Sequence, residues 1–109
     1  DRVPLSNWAY RVIVVNYERS DPAFALKVSN EMERSGIQLQ RPAYNAVLGA
    51  CAQLGMHDEA RELFMKMVDH AVAPNARSYS IMIRVYSFSD QHEKAIATFE
   101  TMRGHPFEP

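Results

Sequence analysis

The chain has 109 residues, 47% of them hydrophobic, and a formal net charge of −1, a composition typical of one ordered globular domain. This balance provides no overall basic field, which counts against strong nonspecific binding to nucleic acid. The single cysteine, Cys51, excludes an internal disulfide and a cysteine-based zinc site, and no apolar run reaches the ~20 residues of a membrane span. We therefore expect no metal, no cofactor and no membrane partner.

The dominant feature is an internal repeat with a period of 35 residues and no gaps. Seven residues of the middle third recur in the last third, and most occupy positions that a helical hairpin must fill with one shape. The first third agrees less well, sharing Ala25 and Met32. We predict repeats at about 6–40, 41–75 and 76–109. The recurring pairs are Tyr44/Tyr79, His57/His92, Ala60/Ala95, Phe64/Phe99, Met67/Met102, His70/His105 and Pro74/Pro109.

The first repeat contains the β-branched run Val12–Val15, which by itself would suit a strand. The other two repeats are helical in pattern at this place, so we predict a helix. Either Ser20 or Asp21 caps the second helix, and Pro22 suits its first turn because its missing N–H costs nothing there.

In the middle repeat, apolar residues recur at three- and four-residue spacing and predict two helices. Pro42 lies in the first turn of the first helix, and Gly55 closes that helix. Asp58 lies in the first turn of the second helix, where it is favourably placed for the helix dipole. Pro74 ends the repeat, and Asn75 can cap the next helix. The two apolar stripes are Tyr44, Val47, Leu48 and Cys51, then Ala60, Leu63, Phe64 and Met67.

The third repeat follows the same scheme, and Asp90 with Glu93 forms a capping-box pattern at its second helix. One such hairpin cannot bury its apolar face alone, whereas three stacked hairpins make a continuous core. We therefore predict an all-α fold for residues 1–109, a right-handed α-solenoid of three helix-turn-helix repeats with six antiparallel helices. The chain begins with Asp1 rather than Met, and we expect it to be part of a longer protein.

Charges are divided unevenly between the predicted helices. The first helices of the repeats, at about 5–17, 41–55 and 76–89, contain arginines and no acid, whereas 12 acidic residues lie in second helices and loops. First helices line the concave face of such a solenoid, so this division predicts a positive inner face that suits a polyanion. The alternative is that this division of charges arose by chance, since four charges are a small sample. The arginines are Arg11, Arg41, Arg77 and Arg84.

Short motifs of the middle repeat follow one another in a fixed order: Tyr44-Asn45, Gly55, Asp58-Glu59-Ala60, Leu63-Phe64, Met67 and Pro74-Asn75. In this order and spacing they resemble the pentatricopeptide repeat family, whose 35-residue consensus has the same landmarks. The resemblance is good in the third repeat and weak in the first. The tetratricopeptide repeat, with ~34 residues, is disfavoured by the gap-free period of 35.

The resemblance implies binding of single-stranded RNA at about one base per repeat. In the family, the fifth and last residues of a repeat read the base, and the second residue packs against it. Carried over, the reading residues are Asn45 with Asn75, Ser80, and Tyr10 with Gln40, and the sandwiching residues are Asn7, Pro42 and Arg77.

An asparagine amide offers both a donor and an acceptor to a Watson–Crick edge. The pair of Asn45 and Asn75 resembles combinations that prefer pyrimidines, cytosine above all, whereas Ser80 is of a type associated with purines. In the first repeat, a shift of one residue would align Tyr10 with Tyr44 and make Arg11 the reader. Either register leaves the base preference there undefined.

Contact with the RNA backbone is the weaker part of the resemblance. The family often carries lysine near the end of the first helix to meet phosphate, and here those positions hold Glu18, Gln53 and Phe88. We assign backbone contact instead to the acid-free first helices. The residues are Arg11, Arg41 and Arg84.

Two functions remain. The first is a sequence-selective RNA-binding module acting in organellar RNA processing, stability or translation, in the mitochondrion or, alternatively, the plastid. The second is a structural scaffold within a mitochondrial ribosome or RNA-processing complex, contacting protein or RNA backbone. We predict no enzymatic activity and no catalytic residues, because Gly-rich phosphate loops and clustered metallonuclease carboxylates are missing. The exposed terminal helix also predicts self-association.

Overall fold

The computed structural model describes residues 7–104, which form six α-helices and no β-strand. Short turns join the helices into three antiparallel hairpins, which confirms the predicted all-α helical-repeat fold, and Val12–Val15 is helical as expected. His105 and Pro109 of the predicted third repeat lie outside the described residues, as does the start of the first. The helices are α1 (Asn7–Tyr17), α2 (Pro22–Arg34), α3 (Arg41–Gln53), α4 (His57–Asp69), α5 (Ala76–Phe88) and α6 (His92–Arg103).

The helices pack in two layers. The first helices of the hairpins form an inner layer, in which α3 contacts both α1 and α5. In the outer layer, α2 packs on α1 and α3, α4 packs on α3 and α5, and α6 packs on α5. Between residues 7 and 104, no helix packing joins α1 to α5 or α2 to α4. The stack measures 49 × 27 × 24 Å, so it is elongated along the direction in which the hairpins follow one another.

The core is centred on α3. Nine consecutive residues of this helix, Ala43 to Cys51, are buried, because four other helices pack around it. Tyr44 and Leu48 are among the largest of the fully buried side chains. Ala60 and Met67 bury the facing stripe of α4, as the sequence pattern predicted. Burial of this apolar surface is the main favourable contribution to the stability of the stack.

Four turns contain a residue in the left-handed region, and these residues recur at the repeat period. Gly36 (φ 80°) and Ala71 (φ 60°) follow α2 and α4, while Gly55 (φ 74°) and Asp90 (φ 61°) follow α3 and α5. Each pair is separated by 35 residues. Glycine adopts this conformation without strain, whereas alanine and aspartate do so at a cost. The backbone path of the hairpin is therefore repeated even where the residue type is not.

The predicted caps are confirmed in two of three cases. Asp21 accepts a hydrogen bond from the backbone N–H of Phe24 at 3.2 Å, so it rather than Ser20 caps α2. Asn75 caps α5. The predicted capping box of Asp90 and Glu93 is wrong. Asp90 adopts a left-handed conformation before α6, which leaves Gln91 as the N-cap residue, without a side-chain hydrogen bond.

The first repeat is shifted by one residue relative to the others. The buried Tyr10 and Val14 of α1 lie 34 residues before the buried Tyr44 and Leu48 of α3. In α2, the buried Ala25 and Met32 lie 35 residues before Ala60 and Met67 of α4. Tyr10 is buried like Tyr44, and its hydroxyl donates to Glu31 Oε2 at 3.0 Å, in the outer layer. This placement counts against Tyr10 as a base reader, because its polar atom contacts α2. The shifted register, which makes Arg11 the counterpart of Asn45, describes the first repeat better.

Candidate nucleic-acid interface

Several of the predicted site residues gather around a cavity on the inner layer. The cavity has a volume of about 410 Å³ and lies where α3 and α5 meet the end of α1. Asn45 precedes Gly49 by one helical turn on α3, so both residues face the same side. We call this side of α1, α3 and α5 the inner face, and the opening the inner cavity. The cavity is lined by Glu18, Arg19, Gly49, Gln53, Arg77, Ser80, Ile81 and Arg84.

The two predicted reading asparagines are joined by a hydrogen bond across 30 positions of sequence. Asn45 Nδ2 donates to Asn75 Oδ1 at 3.0 Å, and Ser78 Oγ donates to Asn45 Oδ1 at 2.5 Å. Asn45 is 3% exposed, so these bonds satisfy an amide that is almost removed from water. Sequence patterns did not indicate Ser78. Its position three residues after the cap Asn75 is the signal that could have identified it.

Asn75 serves α5 at the same time. Its Oδ1 accepts the backbone N–H of Ser78 at 3.1 Å, and Ser78 Oγ accepts the backbone N–H of Asn75 at 3.0 Å, which completes a capping box. The cap therefore fixes the orientation of the Asn75 amide. Its amino group Nδ2 makes no hydrogen bond within the described chain, so two N–H donors remain available beside Asn45.

Arg77 is occupied by a carboxylate from another repeat. Its Nη2 donates to Glu18 Oε1 at 2.5 Å and to Glu18 Oε2 at 2.6 Å. The Glu18 side chain is 9% exposed and that of Arg77 is 43% exposed. This pair links the end of α1 to the first turn of α5, two helices that do not pack against each other. Sequence reasoning did not predict it, because the partners are 59 residues apart.

Gly49 allows this ion pair to form. The Glu18 side chain runs across α3 at this residue, and a Cβ atom added to Gly49 would overlap the Glu18 carboxylate. Within a helix, glycine is otherwise less favourable than alanine by about 1 kcal/mol. A glycine inside a buried helix is thus explained by the close approach of a carboxylate rather than by a turn.

One acid nevertheless reaches the inner face, which was predicted to be positive because its helices contain no acid. Glu18 lies in the turn after α1, as expected, but its carboxylate turns back over α3 and lines the inner cavity. Arg84 and Arg19 line the same cavity and form no ion pair with residues 7–104, so the cavity keeps an excess of positive charge. Burial of Glu18 is tolerated because Arg77 neutralises it.

The other predicted site residues are spread along the inner layer. Ser80 is exposed in the inner cavity, and Arg11 is half-buried on α1. Arg41 Nε donates to the carbonyl oxygen of Ala73 at 2.9 Å, so this arginine holds the turn before α5. The remaining three residues are exposed near helix starts. They are Asn7 at α1, and Gln40 and Pro42 at α3.

Between residues 7 and 104, no group of three or more His, Cys, Asp or Glu side chains is arranged to hold a metal ion. In the same part of the chain, no helix combines the length and the apolarity needed to cross a membrane. Burial raises the pKa of the Cys51 thiol to about 11, which disfavours the thiolate.

Two family models match the sequence. One, described as the PPR repeat family, covers residues 42–87, and the other, described as the PPR repeat, covers residues 77–107. Together they span more than half of the chain. The chain belongs to the pentatricopeptide repeat family. This finding confirms the resemblance that the landmarks of the middle repeat indicated.

Three curated relatives are similar over most of the chain. The small ribosomal subunit protein mL103 (rPPR7) of Arabidopsis thaliana is 27% identical over 88% of the chain. A mitochondrial pentatricopeptide repeat-containing protein of the same plant is 34% identical over 78%. The mitochondrial 15S rRNA processing factor CCM1 of Clavispora lusitaniae is 31% identical over 90%. The chain spans 13% to 23% of the length of these relatives.

Solved structures of the pentatricopeptide repeat protein PPR10 are similar in fold. The structure of PPR10 in complex with an 18-nt psaJ RNA element has a TM-score of 0.79 and is 27% identical, covering 94% of this chain and 15% of that protein. A structure of PPR10 from maize has a TM-score of 0.72 at 21% identity, covering 98% of this chain and 16% of that one.

Proposed function

We propose that the chain is a single-stranded RNA-binding repeat module acting in organellar RNA processing, stability or translation. The observation that carries this proposal is the hydrogen-bonded pair of Asn45 and Asn75 on the inner face. It is supported by the similarity to a structure of PPR10 with bound RNA and to a mitochondrial rRNA processing factor. The names of two relatives favour the mitochondrion, with the plastid as the alternative.

The orientation of Asn75 favours cytosine. Its oxygen is used by the cap of α5 and by Asn45, so a base beside it meets the two N–H donors of Nδ2. The Watson–Crick edge of cytosine offers two adjacent acceptors, N3 and O2, whereas uracil offers a donor at N3. A donor pair therefore matches cytosine better, and a buried mismatch leaves a polar group unpaired at a cost of about 1–3 kcal/mol.

The test is binding of short oligocytidine, oligouridine and oligoadenosine strands at low salt, measured by fluorescence anisotropy. We expect oligocytidine to bind most tightly, and weakly in absolute terms because few repeats contribute. Absence of binding to all three strands would reject the proposed function. Asn30→Ala on α2 is the matched control, since it removes an exposed asparagine from the outer layer.

The variant Asn75→Asp separates base reading from folding. Aspartate is as good an N-cap as asparagine, so α5 keeps its cap, but the two donors are lost. A carboxylate accepts the N3–H of uracil, so the ratio of oligocytidine to oligouridine affinity should fall by about tenfold. An unchanged ratio would contradict the assigned reading mechanism while leaving RNA binding itself intact.

The remaining assignments belong to the same proposal. Ser80 and Arg84 line the inner cavity, where a second base and its phosphate would lie, and Arg11 takes the reading position of the first repeat in its shifted register. Gln40, Asn7 and Pro42 accompany them at the helix starts. Arg41 is the weakest candidate for backbone contact, since its Nε already bonds Ala73.

A structural scaffold within a mitochondrial ribosome is the second candidate. It is favoured by the similarity to a small ribosomal subunit protein and by the neutralisation of Arg77, which lowers the charge offered to RNA. Its contacts would be mostly to protein or RNA backbone. Oligonucleotide affinities that depend on salt but not on base composition would favour this candidate.

Self-association is a further proposal for this chain. Ile96 and Phe99 on α6 and Phe88 at the end of α5 are exposed, which leaves an apolar surface at the end of the stack. Light scattering at two protein concentrations should show a mass that rises with concentration.

We also propose that this stretch of chain has no enzymatic activity, because its inner face offers amides and arginines rather than a nucleophile with a base.

A further inference from the structure

The inner cavity already contains an anion of the protein. Glu18 is buried among Gly49, Gln53 and Arg77, and its carboxylate accepts two short hydrogen bonds from Arg77. We infer that Glu18 is a resident anion that occupies Arg77 and withholds it from the phosphates of a bound strand. This inference rests on the proposed function where the ligand is RNA, and it makes Glu18 an affinity-setting residue at a position where the family often carries a lysine that meets phosphate.

Geometry supports this role because the pair is not needed to join neighbouring helices. Repeat proteins are held by contacts between adjacent units, and here α1 and α5 are two hairpins apart and do not pack together. The Glu18 side chain reaches Arg77 only by crossing α3 at its one glycine. The contact therefore spans the inner face, along the surface on which a strand would lie.

The contact between Glu18 and Arg77 lowers the positive charge of the inner cavity. The inner cavity is lined by three arginines and one glutamate, so Glu18 cancels one of three positive charges. Each arginine that meets a phosphate of a single strand changes the slope of log K against log salt by about 0.7. Arg77 makes no such contribution while Glu18 holds it. Binding at this repeat junction then depends on the bases more than on the backbone.

The direct test is a salt titration of oligocytidine binding to the wild-type chain and to Glu18→Gln. Glutamine keeps the size of the side chain and removes its charge. We expect the slope to steepen by about 0.7 and the affinity at 0.1 M salt to rise by about fivefold. The double variant Glu18→Gln/Arg77→Gln should return to the wild-type slope. Equal slopes for wild type and Glu18→Gln would overturn the inference.

Glu33→Gln is the matched control. Glu33 also forms an ion pair with a basic residue of the following repeat, Lys66. The hydrogen bond between them raises the pKa of Lys66. Because this pair joins α2 to α4 in the outer layer, its loss should leave the salt slope unchanged. A steeper slope for Glu33→Gln as well would mean that net charge alone sets the affinity, which would contradict a specific role of Glu18.

Gly49→Ala tests the same contact without changing the charge of the chain. The new Cβ displaces the flexible end of Glu18 from Arg77, while alanine favours the helical backbone of α3. This variant is therefore expected to fold even if Glu18→Gln does not, which far-ultraviolet circular dichroism would verify. Its slope should also steepen. A wild-type slope in a folded Gly49→Ala chain would again count against the inference.

Tripolyphosphate separates the inference from the proposed function, because it carries phosphates and no base. Nuclear magnetic resonance of the Arg77 Nε–H should show tripolyphosphate binding in Glu18→Gln and little or none in the wild type. If no variant binds RNA but this difference appears, the proposed function fails and the resident anion stands. If tripolyphosphate perturbs both chains equally, Glu18 does not withhold Arg77 and the inference fails.

Discussion

Helices α3 and α6 have similar lengths, 13 and 12 residues, but they are buried to very different extents. Nine consecutive residues of α3 are buried, whereas in α6 the buried residue is Ala95. Phe64 on α4 and its counterpart Phe99 on α6 show the same contrast. Phe64 packs edge-on against Tyr79 of the next hairpin, whereas Phe99 is exposed beneath Arg103. For residues that recur in the repeat, such as Phe64 and Phe99, burial is therefore decided by the place of the helix in the stack.

The largest expected difference is in the response to truncation. Leu48→Ala removes a fully buried side chain from α3 and should lower the free energy of unfolding by about 3 kcal/mol. Ile96→Ala on α6, where the side chain is 61% exposed, should change it by less than about 0.5 kcal/mol. Urea unfolding followed by circular dichroism measures both values. Equal losses would mean that α6 is packed in solution by a second copy of the chain.

Alkaline pH tests the burial of α3 through Cys51. Its pKa is raised from 9.0 to about 11, mainly by burial, so the folded state favours the neutral thiol. This contribution is complete below pH 9 and is lost as the pH rises towards 11, by about 2 kcal/mol in all. Stability measured between pH 8 and 11 should fall less in Cys51→Ala than in the wild type. Parallel pH profiles of the two proteins would show that the thiol is not buried in solution.

Substitutions in the turns that precede α5 and α6 should change the free energy of unfolding by a smaller amount and with the opposite sign. Ala71 and Asp90 adopt positive φ, so Ala71→Gly and Asp90→Gly should each stabilise the chain by about 1 kcal/mol. Ala97→Gly, at an exposed position within α6, is the control and should destabilise it by a similar amount. Thermal unfolding distinguishes these outcomes. Destabilisation by Ala71→Gly would mean that this residue leaves the left-handed region in solution.

Amide hydrogen exchange compares the free energy of local opening in α3 and α6. We expect this difference to be the smallest of all, but exchange resolves it residue by residue. Amides of α3 are expected to exchange only through global unfolding, while those of α6 exchange through local opening as well. The observed exchange rate of each amide, relative to its rate in an unfolded chain and measured by nuclear magnetic resonance, should therefore decrease from α6 towards α3. Uniform protection would indicate that the three hairpins unfold as one unit.

Residues at recurring positions were predictable because the repeat imposes one shape on them. Tyr44, Ala60 and Met67 are buried as the three- and four-residue spacing indicated, and Asn75 caps α5. The family pattern named Asn45 and Asn75 as reading residues, although not the hydrogen bond that joins them. These predictions concern a single hairpin and its neighbour, in which the sequence separation of the partners is fixed by the period.

Features that depend on three hairpins together were not predictable in the same way. The path of the Glu18 side chain across Gly49 requires the relative position of α1, α3 and α5, which no local pattern contains. The shift of one residue that places Tyr10 in the core arises in a degenerate repeat, where too few landmarks fix the register. Asp90 resembled a cap because its spacing to Glu93 was correct, but the turn geometry of the repeat decided its conformation.

The double duty of Asn75 limits how this surface can change. The residue that we propose to face a base is also the N-cap of α5, and Ser78 hydrogen-bonds to this cap and to Asn45. A substitution that alters base preference must therefore come from the small set of side chains that start helices well, chiefly Asn, Asp, Ser and Thr. Helix initiation therefore limits which side chains can face a base at this junction, and redesign for a new base has to choose among them.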